Sequence, residues 1–493
     1  MQKFLSNKSI FFRGQTFWLL ILFFAIRVLS YFLNGHLIIQ GLLVFTILMI
    51  LGILYFKNPS WAWGLVLGEI LLGGSGHYLE FLGLSIRTLL IGFFIFLWLA
   101  QLLGERNLKK TILINKPITA ILVVLFIFLF GSVFNGLYHE HEFRRIVADI
   151  MPFTFLLLLF PSYYLFAEKK TQEFLVRLIG VFIIGTATFS LTTLVLFSTK
   201  IARLQDGFYK WYRDVDMGKI TDMGAGFFRI VEPAHLLIVP IILIITSLLM
   251  RNEHHHKMWR FIQILSIVIL ALNLSRAYFL ALVVGLIVLK LKHNWKQWMT
   301  ESIMTILLVM IVFSGIHMIA SGGGSLGWEL FGVRLQSLTS PTLEISTNTR
   351  MMILPAAWQM ITTNPILGVG LGATVTFLNP YTYEAFTTAS FDWGYLEMWA
   401  ELGIFGALVL IFLYAFVGYK LLLKIVNIHD WHDFDVGLLA GIVALLITNI
   451  AAPALFHVFG ILYLIFAMTI AMKHTSIFER TTAVLYQVFN RVK

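Results

Sequence analysis

The chain contains no cysteine. That excludes disulfides, thiolate metal centres and a cysteine nucleophile. Charge is also scarce: Asp, Glu, Lys and Arg make up 12% of the residues, roughly half the share of a soluble globular domain. No tandem repeat is visible and no segment has a disordered composition. What remains is apolar. The 493 residues are 59% hydrophobic, with a mean hydropathy of +0.87. The apolar runs approach the length that crosses a bilayer and lack the dense alternation of a barrel strand. Composition therefore predicts an all-α polytopic membrane protein.

Fourteen apolar segments are candidate spans: about 15–33, 37–56, 61–74, 84–104, 117–137, 146–166, 175–198, 232–250, 259–274, 277–291, 300–319, 404–424, 436–452 and 454–472. The third is short, holds Glu69 and ends in Gly-Gly-Ser-Gly, so a re-entrant segment and thirteen spans are the alternative. The net charge of +11 does not point to nucleic acid, because the basic residues are scattered through short connections. Orientation accounts for them better. With both termini cytoplasmic, most of the 36 Lys and Arg fall on inner segments, and Arg27 lies within a span. The excess of positive charge inside favours that register. Two long outer segments result, 199–231 and 320–403.

The expected organisation is thus 1–198 N-terminal helices, 199–231 first outer loop, 232–319 central helices, 320–403 second outer loop and 404–473 C-terminal helices. Residues 474–493 form a cytoplasmic tail with apolar residues at helical spacing, suited to the inner leaflet. The basic start, MQKFLSNKSIFFRG, has no small-residue cleavage site after it and is expected to lead into a retained first span.

Chemistry-bearing residues concentrate in the outer segments. Arg350 opens an amphipathic stretch with Leu354 and Trp358 on its face at i+4 and i+8, and Asn348 is placed to cap it. A guanidinium grips phosphate oxygens and keeps its charge at any working pH. The alternative role is a helix-end ion pair. Arg276 sits in a break between two spans, where a charge is costly unless paired or placed on an anion; snorkelling to lipid phosphates is its other option. Arg229 and Glu232 end the first outer loop, with Pro233 at the first position of a helix. His235 reads as a packed span residue.

Asp392 lies where the chain re-enters lipid. It suits either a general base or an N-cap for a helix starting near Trp393. Glu397 and Glu401 stand one helical turn apart and are expected to pair with an arginine. Three patterns are weaker. Asp214-Val215-Asp216 has the spacing of a metal-holding pair, common by chance in polar loops. Gly368-Val369-Gly370-Leu371-Gly372 lacks a dinucleotide context and reads as a flexible turn. His254-His255-His256 and His139-Glu140-His141-Glu142 read as solvated loops, since adjacent side chains splay apart. No metal and no cofactor is expected.

The order of these pieces resembles the C-terminal signature of the bacterial O-antigen ligase and polymerase family. The matching residues are Asn348-Thr349-Arg350, Trp358, Asn364-Pro365-Ile366-Leu367-Gly368-Val369-Gly370-Leu371-Gly372, Tyr395-Leu396-Glu397, and Glu401-Leu402-Gly403 with Gly406. Ligases of the family carry a histidine and usually a small polar residue, then nine residues, then Gly-x-x-Gly. Here nine residues separate Trp393 from Gly403, but Asp392 occupies the histidine position. Ser275-Arg276 resembles a further family feature. Arg229 with Glu232-Pro233-Ala234-His235-Leu236 resembles an Arg…Glu-Pro-x-x-Leu pattern of its polysaccharide polymerases.

The resemblance implies a large-cavity membrane glycosyltransferase of the GT-C kind at the outer face of the bacterial inner membrane. Its donor would be a polyprenyl-pyrophosphate-linked oligosaccharide. Arg276, Arg350 and Arg229 would hold the pyrophosphate and Asp392 would act as base. Glu232, Glu397, Glu401 and Trp358 would support them. The implied outcome is inversion without a metal. A polymerase acting on a second lipid-linked repeat is favoured over a ligase acting on a lipid A core, and both over a flippase or exporter, which would show paired halves. A chain-length regulator and a flippase are the expected protein partners, and nucleic acid is not.

Overall fold

The computed structural model describes residues 14–104, 116–166, 168–250, 256–336, 345–378, 384–427 and 432–472. The expected tail 474–493 and His254 and His255 lie outside them. All fourteen expected apolar segments fall on helices, and three two-stranded hairpins are the only strands among the described residues. The protein is an all-α polytopic membrane protein.

The N-terminal helices are α1 (Gly14–Leu33), α2 (Leu37–Lys57), α3 (Pro59–Leu72), α4 (Ile86–Gly104) and α5 (Lys116–Tyr138). Then α6 (Phe143–Thr154) and α7 (Leu159–Leu165) are joined by a 3₁₀ turn following Pro152, whose ring prevents an unbroken α-helix. Next come α8 (Lys169–Ser198), the short helix α9 (Gly207–Asp214) and the hairpin β3 (Lys219–Asp222) with β4 (Phe228–Val231). A smaller hairpin, β1 (Glu80–Phe81) with β2 (Leu84–Ser85), precedes α4.

A 3₁₀ turn, Pro233–Leu237, leads into α10 (Ile238–Leu249), followed by α11 (His256–Asn273), α12 (Arg276–Leu289) and α13 (Trp295–Ala320). The segment 320–403 holds α14 (Trp328–Gln336), α15 (Ile345–Thr363) and the hairpin β5 (Val375–Leu378) with β6 (Ala385–Thr388). The chain closes with α16 (Gly394–Asn427), α17 (Asp433–Thr448) and α18 (Val458–Met472).

Among the described residues, eight helical segments, with α6 and α7 counted as one, are long and apolar enough to cross a membrane by length and composition. Four apolar helices are shorter, among them α12 with 14 residues, only about 21 Å at 1.5 Å per residue. Packing explains how short helices are tolerated. Apart from three residues, the described side chains of α17 are all buried, and α10 is buried along most of its length. They lie within protein, where no lipid thickness has to be matched. The long helices α1, α2, α5 and α13 bury little of their surface and present exposed Phe, Leu and Ile side chains instead. Those are the lipid-facing elements.

Polar contacts tie both ends of the bundle. At one end Lys424 Nζ meets Asp435 Oδ1 at 2.6 Å, His293 Nε2 lies 3.1 Å from Asp433 Oδ1, and Arg260 Nη2 lies 2.6 Å from Glu301 Oε2. The other end gathers the loops. Ser75 Oγ donates to Val215 O, Arg229 to Asn273 O, and Leu371 N to Ser132 O. Arg334 Nη2 meets Met223 Sδ, so the segments 199–231 and 320–403 emerge at one face. Gly403, with φ 68° and ψ 173°, breaks α16 into Gly394–Leu402 and a long apolar remainder.

Candidate functional site

The loop 364–372 is the scaffold of the site. Val369 N donates to Ala400 O at 2.7 Å, Gly370 N to Glu401 O at 3.2 Å, and Ile404 N to Pro365 O at 3.0 Å. These amides and carbonyls are the ones that the break at Gly403 leaves without helical partners. On its other side the loop meets α5 and α6. Asn135 Nδ2 donates to Gly368 O at 2.6 Å, His141 Nδ1 faces Leu371 O at 2.8 Å, and Gly372 N donates to Asp149 Oδ2 at 2.8 Å. The glycine run is thus a fixed clasp, not the flexible turn expected from its composition. A side chain at Gly403 or Gly370 would strike the Ile366 carbonyl or the Gly136 backbone.

Three acids surround the clasp. Asp149 and Glu401 bring their carboxyls together, and Glu397 Oε2 accepts from Phe391 N at 3.0 Å. The expected arginine partners for Glu397 and Glu401 are replaced, among the described residues, by Asp149 and backbone amides. Burial drives the choice, since both glutamates face inward on the first part of α16. Asp149 itself was legible only as a lone acid in an apolar run.

The hairpin β5–β6 hangs between Gly372 and Phe391, and its base places Asp392 opposite α15. Arg350 Nε lies 3.6 Å from Asp392 Oδ2, with side chains 26% and 42% exposed. Trp393 Nε1 donates to Arg350 O at 3.1 Å and fixes the two segments together. Asp392 has a φ of 57° and lies two residues before α16 begins, so it is not the helix cap. The position before Gly394 is Trp393, whose carbonyl accepts from Glu397 N. Asn348 is likewise no cap: α15 starts at Ile345, which puts Asn348 and Arg350 inside the helix. Trp358 is half exposed and meets Trp399 edge-on at 6.0 Å.

Arg229 and Arg276 stand together in another part of the same face. Strand β4 carries Arg229, paired in register with Thr221. Its Nε donates 2.7 Å to the carbonyl of Asn273, the last residue of α11. Leu274, at φ 47°, then turns the chain, and Arg276 opens α12. The structure therefore brings Arg229 to the break that bears Arg276, and Arg350 to Asp392 in a separately packed cluster.

Glu232 and Pro233 begin the 3₁₀ turn as the sequence suggested, with a reciprocal cap from His235. The surroundings of Glu232 were not foreseen. Its carboxylate lies 3.8 Å from the guanidinium of Arg27, a buried residue of α1. Beside them Tyr78 Oη donates 2.5 Å to Asp216 Oδ1. The aspartate is fully buried in the first outer loop, and burial pushes its carboxyl up to about 6 against the pull of Arg27. Asp214 instead faces outward and pairs with Arg213 at 2.6 Å. The two aspartates point into different surroundings and form no pair. An arginine inside an apolar span was the signal for this centre.

The histidine-rich segment also divides its side chains. His139 Nδ1 faces Asn135 O, His141 faces Leu371 O, and Glu142 pairs with Arg145 at 2.9 Å.

Comparison with known proteins bears on the same region. Residues 261–411 match the model of a family described as O-antigen ligase. This segment is similar to the O-antigen ligase and polymerase family, over less than a third of the chain. The matched stretch contains Arg276, Arg350, Asp392 and the clasp, whereas Arg27, Arg229 and Glu232 precede it. No curated protein matches the chain. Members of that family are glycosyltransferase-like enzymes; this chain is an integral membrane protein.

Proposed function

We propose that the protein is a polysaccharide polymerase of the outer face of the inner membrane. It transfers a glycan from polyprenyl pyrophosphate to a hydroxyl of another lipid-linked repeat unit. The observation that carries this reading is the Arg350–Asp392 pair within the family-matched segment. At 3.6 Å the pair is looser than a hydrogen bond. An arriving phosphate oxygen can draw Arg350 away, and Asp392 is then left as a free carboxylate beside the reacting centre.

The chemistry is a single displacement. The acceptor oxygen attacks the anomeric carbon, its proton passes to Asp392, and the bond from that carbon to the pyrophosphate oxygen breaks. The pyrophosphate leaves with the electron pair, and guanidinium charge stabilises it. It is a good leaving group, so no nucleotide or metal is required, and the configuration at carbon inverts. Arg229 and Arg276 supply the remaining positive charge. A chain-length regulator and a flippase are the partners of this assignment, and both termini are cytoplasmic.

A ligase acting on a lipid A core is the second reading, favoured by the description of the matching family. Aspartate in place of the ligases' histidine favours the polymerase. Deleting the gene and separating surface glycans by size decides between them. A single-repeat cap on the surface supports the polymerase. Free lipid-linked polymer supports the ligase, and cytoplasmic accumulation would mean a flippase and end both enzyme readings.

A further inference from the structure

Arg27 is the one basic residue that the apolar sequence of α1 carries between Gly14 and Leu33. It is 3% exposed. Protein surrounds its guanidinium, with Nε buried and without a hydrogen-bond partner. Nη1 donates to Leu72 O at 3.0 Å and to Phe23 O at 3.3 Å, Nη2 faces Glu232 Oε2 at 3.8 Å, and the Phe23 ring lies 3.6 Å from its carbon. Rings of Phe189 and Tyr78 lie 5.0 and 5.5 Å away. Such a group is not built to receive a substrate. A buried cation of this kind persists because its partner carboxylate is buried with it.

From Glu232 a continuous series of bonds leads to Arg229. The Glu232 amide donates to His235 Nδ1 at 3.3 Å, and Asn273 Nδ2 reaches the same nitrogen at 3.2 Å. Both partners are donors, so Nδ1 accepts and the proton sits on Nε2, 3.8 Å from Glu232 Oε1. Asn273 then offers its backbone carbonyl to Arg229 Nε at 2.7 Å. Glu232 is also three residues beyond Arg229 in the chain, at the end of β4. Ser190 Oγ and Tyr212 Oη approach its carboxylate at 3.4 and 3.5 Å.

We propose that Arg27 is a positioning residue: its pairing with Glu232 locks the Glu232–His235–Asn273 series and so sets where Arg229 stands beside the Arg276 break. The geometry of Arg229 follows from the structure alone. Only its consequence for transfer rests on the proposed function.

The test reads position and activity separately, on the full chain in lipid nanodiscs. Phenylglyoxal modification of Arg229 is followed by peptide mass spectrometry, with Arg213 on the same outer loop as the exposed control. In R27M, Arg229 reacts about tenfold faster, the factor held by a hydrogen bond from a charged donor, while Arg213 is unchanged. R27M/E232Q removes both charges and returns Arg229 towards the wild-type rate. R27K keeps the charge without the fork and falls between; it carries the test if R27M does not fold.

An unchanged Arg229 rate in folded R27M or R27K overturns the proposal. So does an equal rise at Arg213, which would mean general loosening, or an R27M/E232Q rate as high as that of R27M. Faster Arg229 modification with undiminished glycan transfer would leave the positioning intact and remove Arg229 from the catalytic reading.

Discussion

Arg350 Nε stands 3.6 Å from Asp392 Oδ2, and the indole of Trp393 ties the backbone of one segment to the other through Arg350 O. Charge of both signs is therefore presented together at a half-open position. If Asp392 takes the acceptor proton, D392N retains the shape and loses the base, which lowers transfer by about 10²- to 10⁴-fold. R350A removes charge from the leaving pyrophosphate and falls in a similar range, about 10²- to 10³-fold. Because the two groups act as a unit, the double variant is scarcely worse than the poorer single one. The measurement is glycan transfer by membranes with matched protein levels. Full activity in either single variant removes that residue from the site.

The break in α16 gives a stability prediction with an internal control. Gly403 has a φ of 68°, and a Cβ there would run into the Ile366 carbonyl. G403A is expected to lose at least about 1–3 kcal/mol through backbone strain alone. Gly418 lies on the same helix with ordinary space around it, its nearest neighbour 3.5 Å from a built Cβ. G418A gains up to about 1 kcal/mol of helix propensity. Thermal unfolding in detergent compares the two. Equal melting temperatures would mean that the clasp does not depend on the break.

Much of the fold was legible because span length and apolarity are local properties. Each apolar segment became a helix, and the break at Gly403 sits one residue before the expected re-entry. The contacts of Glu397 and Glu401 were not legible, because they involve Asp149 of α6, more than 200 residues earlier in the chain; that of Asp392 depends on Arg350 in a separate segment, α15. Helix periodicity places Glu397 and Glu401 on one face but does not name what covers it. Asn348 failed as a cap because α15 extends one turn further back than its polar start suggested. Arg27 was visible as a charge in lipid, yet its partner Glu232 is joined to it only by the packing of α1 against α8.

Asp216 predicts a pH dependence. Its carboxyl is pushed from an ordinary 3.8 up to about 6, chiefly by burial. The folded state then binds the proton more tightly than the unfolded chain. Stability from this group is full below about pH 4, is lost as pH rises to about 6, and is flat above. D216N keeps an acceptor for Tyr78 and does not titrate. Between pH 4 and 7 the stability of the wild type relative to D216N should fall by on the order of 3 kcal/mol. Unfolding curves of both proteins across that range test it. A constant difference would mean that Asp216 ionises normally in the fold.

The adjoining Asp149 and Glu401 carboxyls make a prediction about which atoms matter at the clasp. Asp149 accepts from Gly372 N at 2.8 Å, and the prediction is that it shares a proton with Glu401. An asparagine at 149 can do both jobs: its oxygen accepts from Gly372, and its amide donates to a Glu401 that no longer shares a proton. An alanine does neither: the buried Gly372 amide loses its partner, and the Glu401 carboxyl keeps only the Ala373 amide. D149A is therefore expected to cost about 1–3 kcal/mol, whereas D149N stays near the wild type. Glycan transfer should follow the same order, because Gly372 anchors one end of the hairpin whose other end leads to Asp392. If D149N is as damaged as D149A, the negative charge itself is what the clasp requires, and a shared proton does not describe the pair.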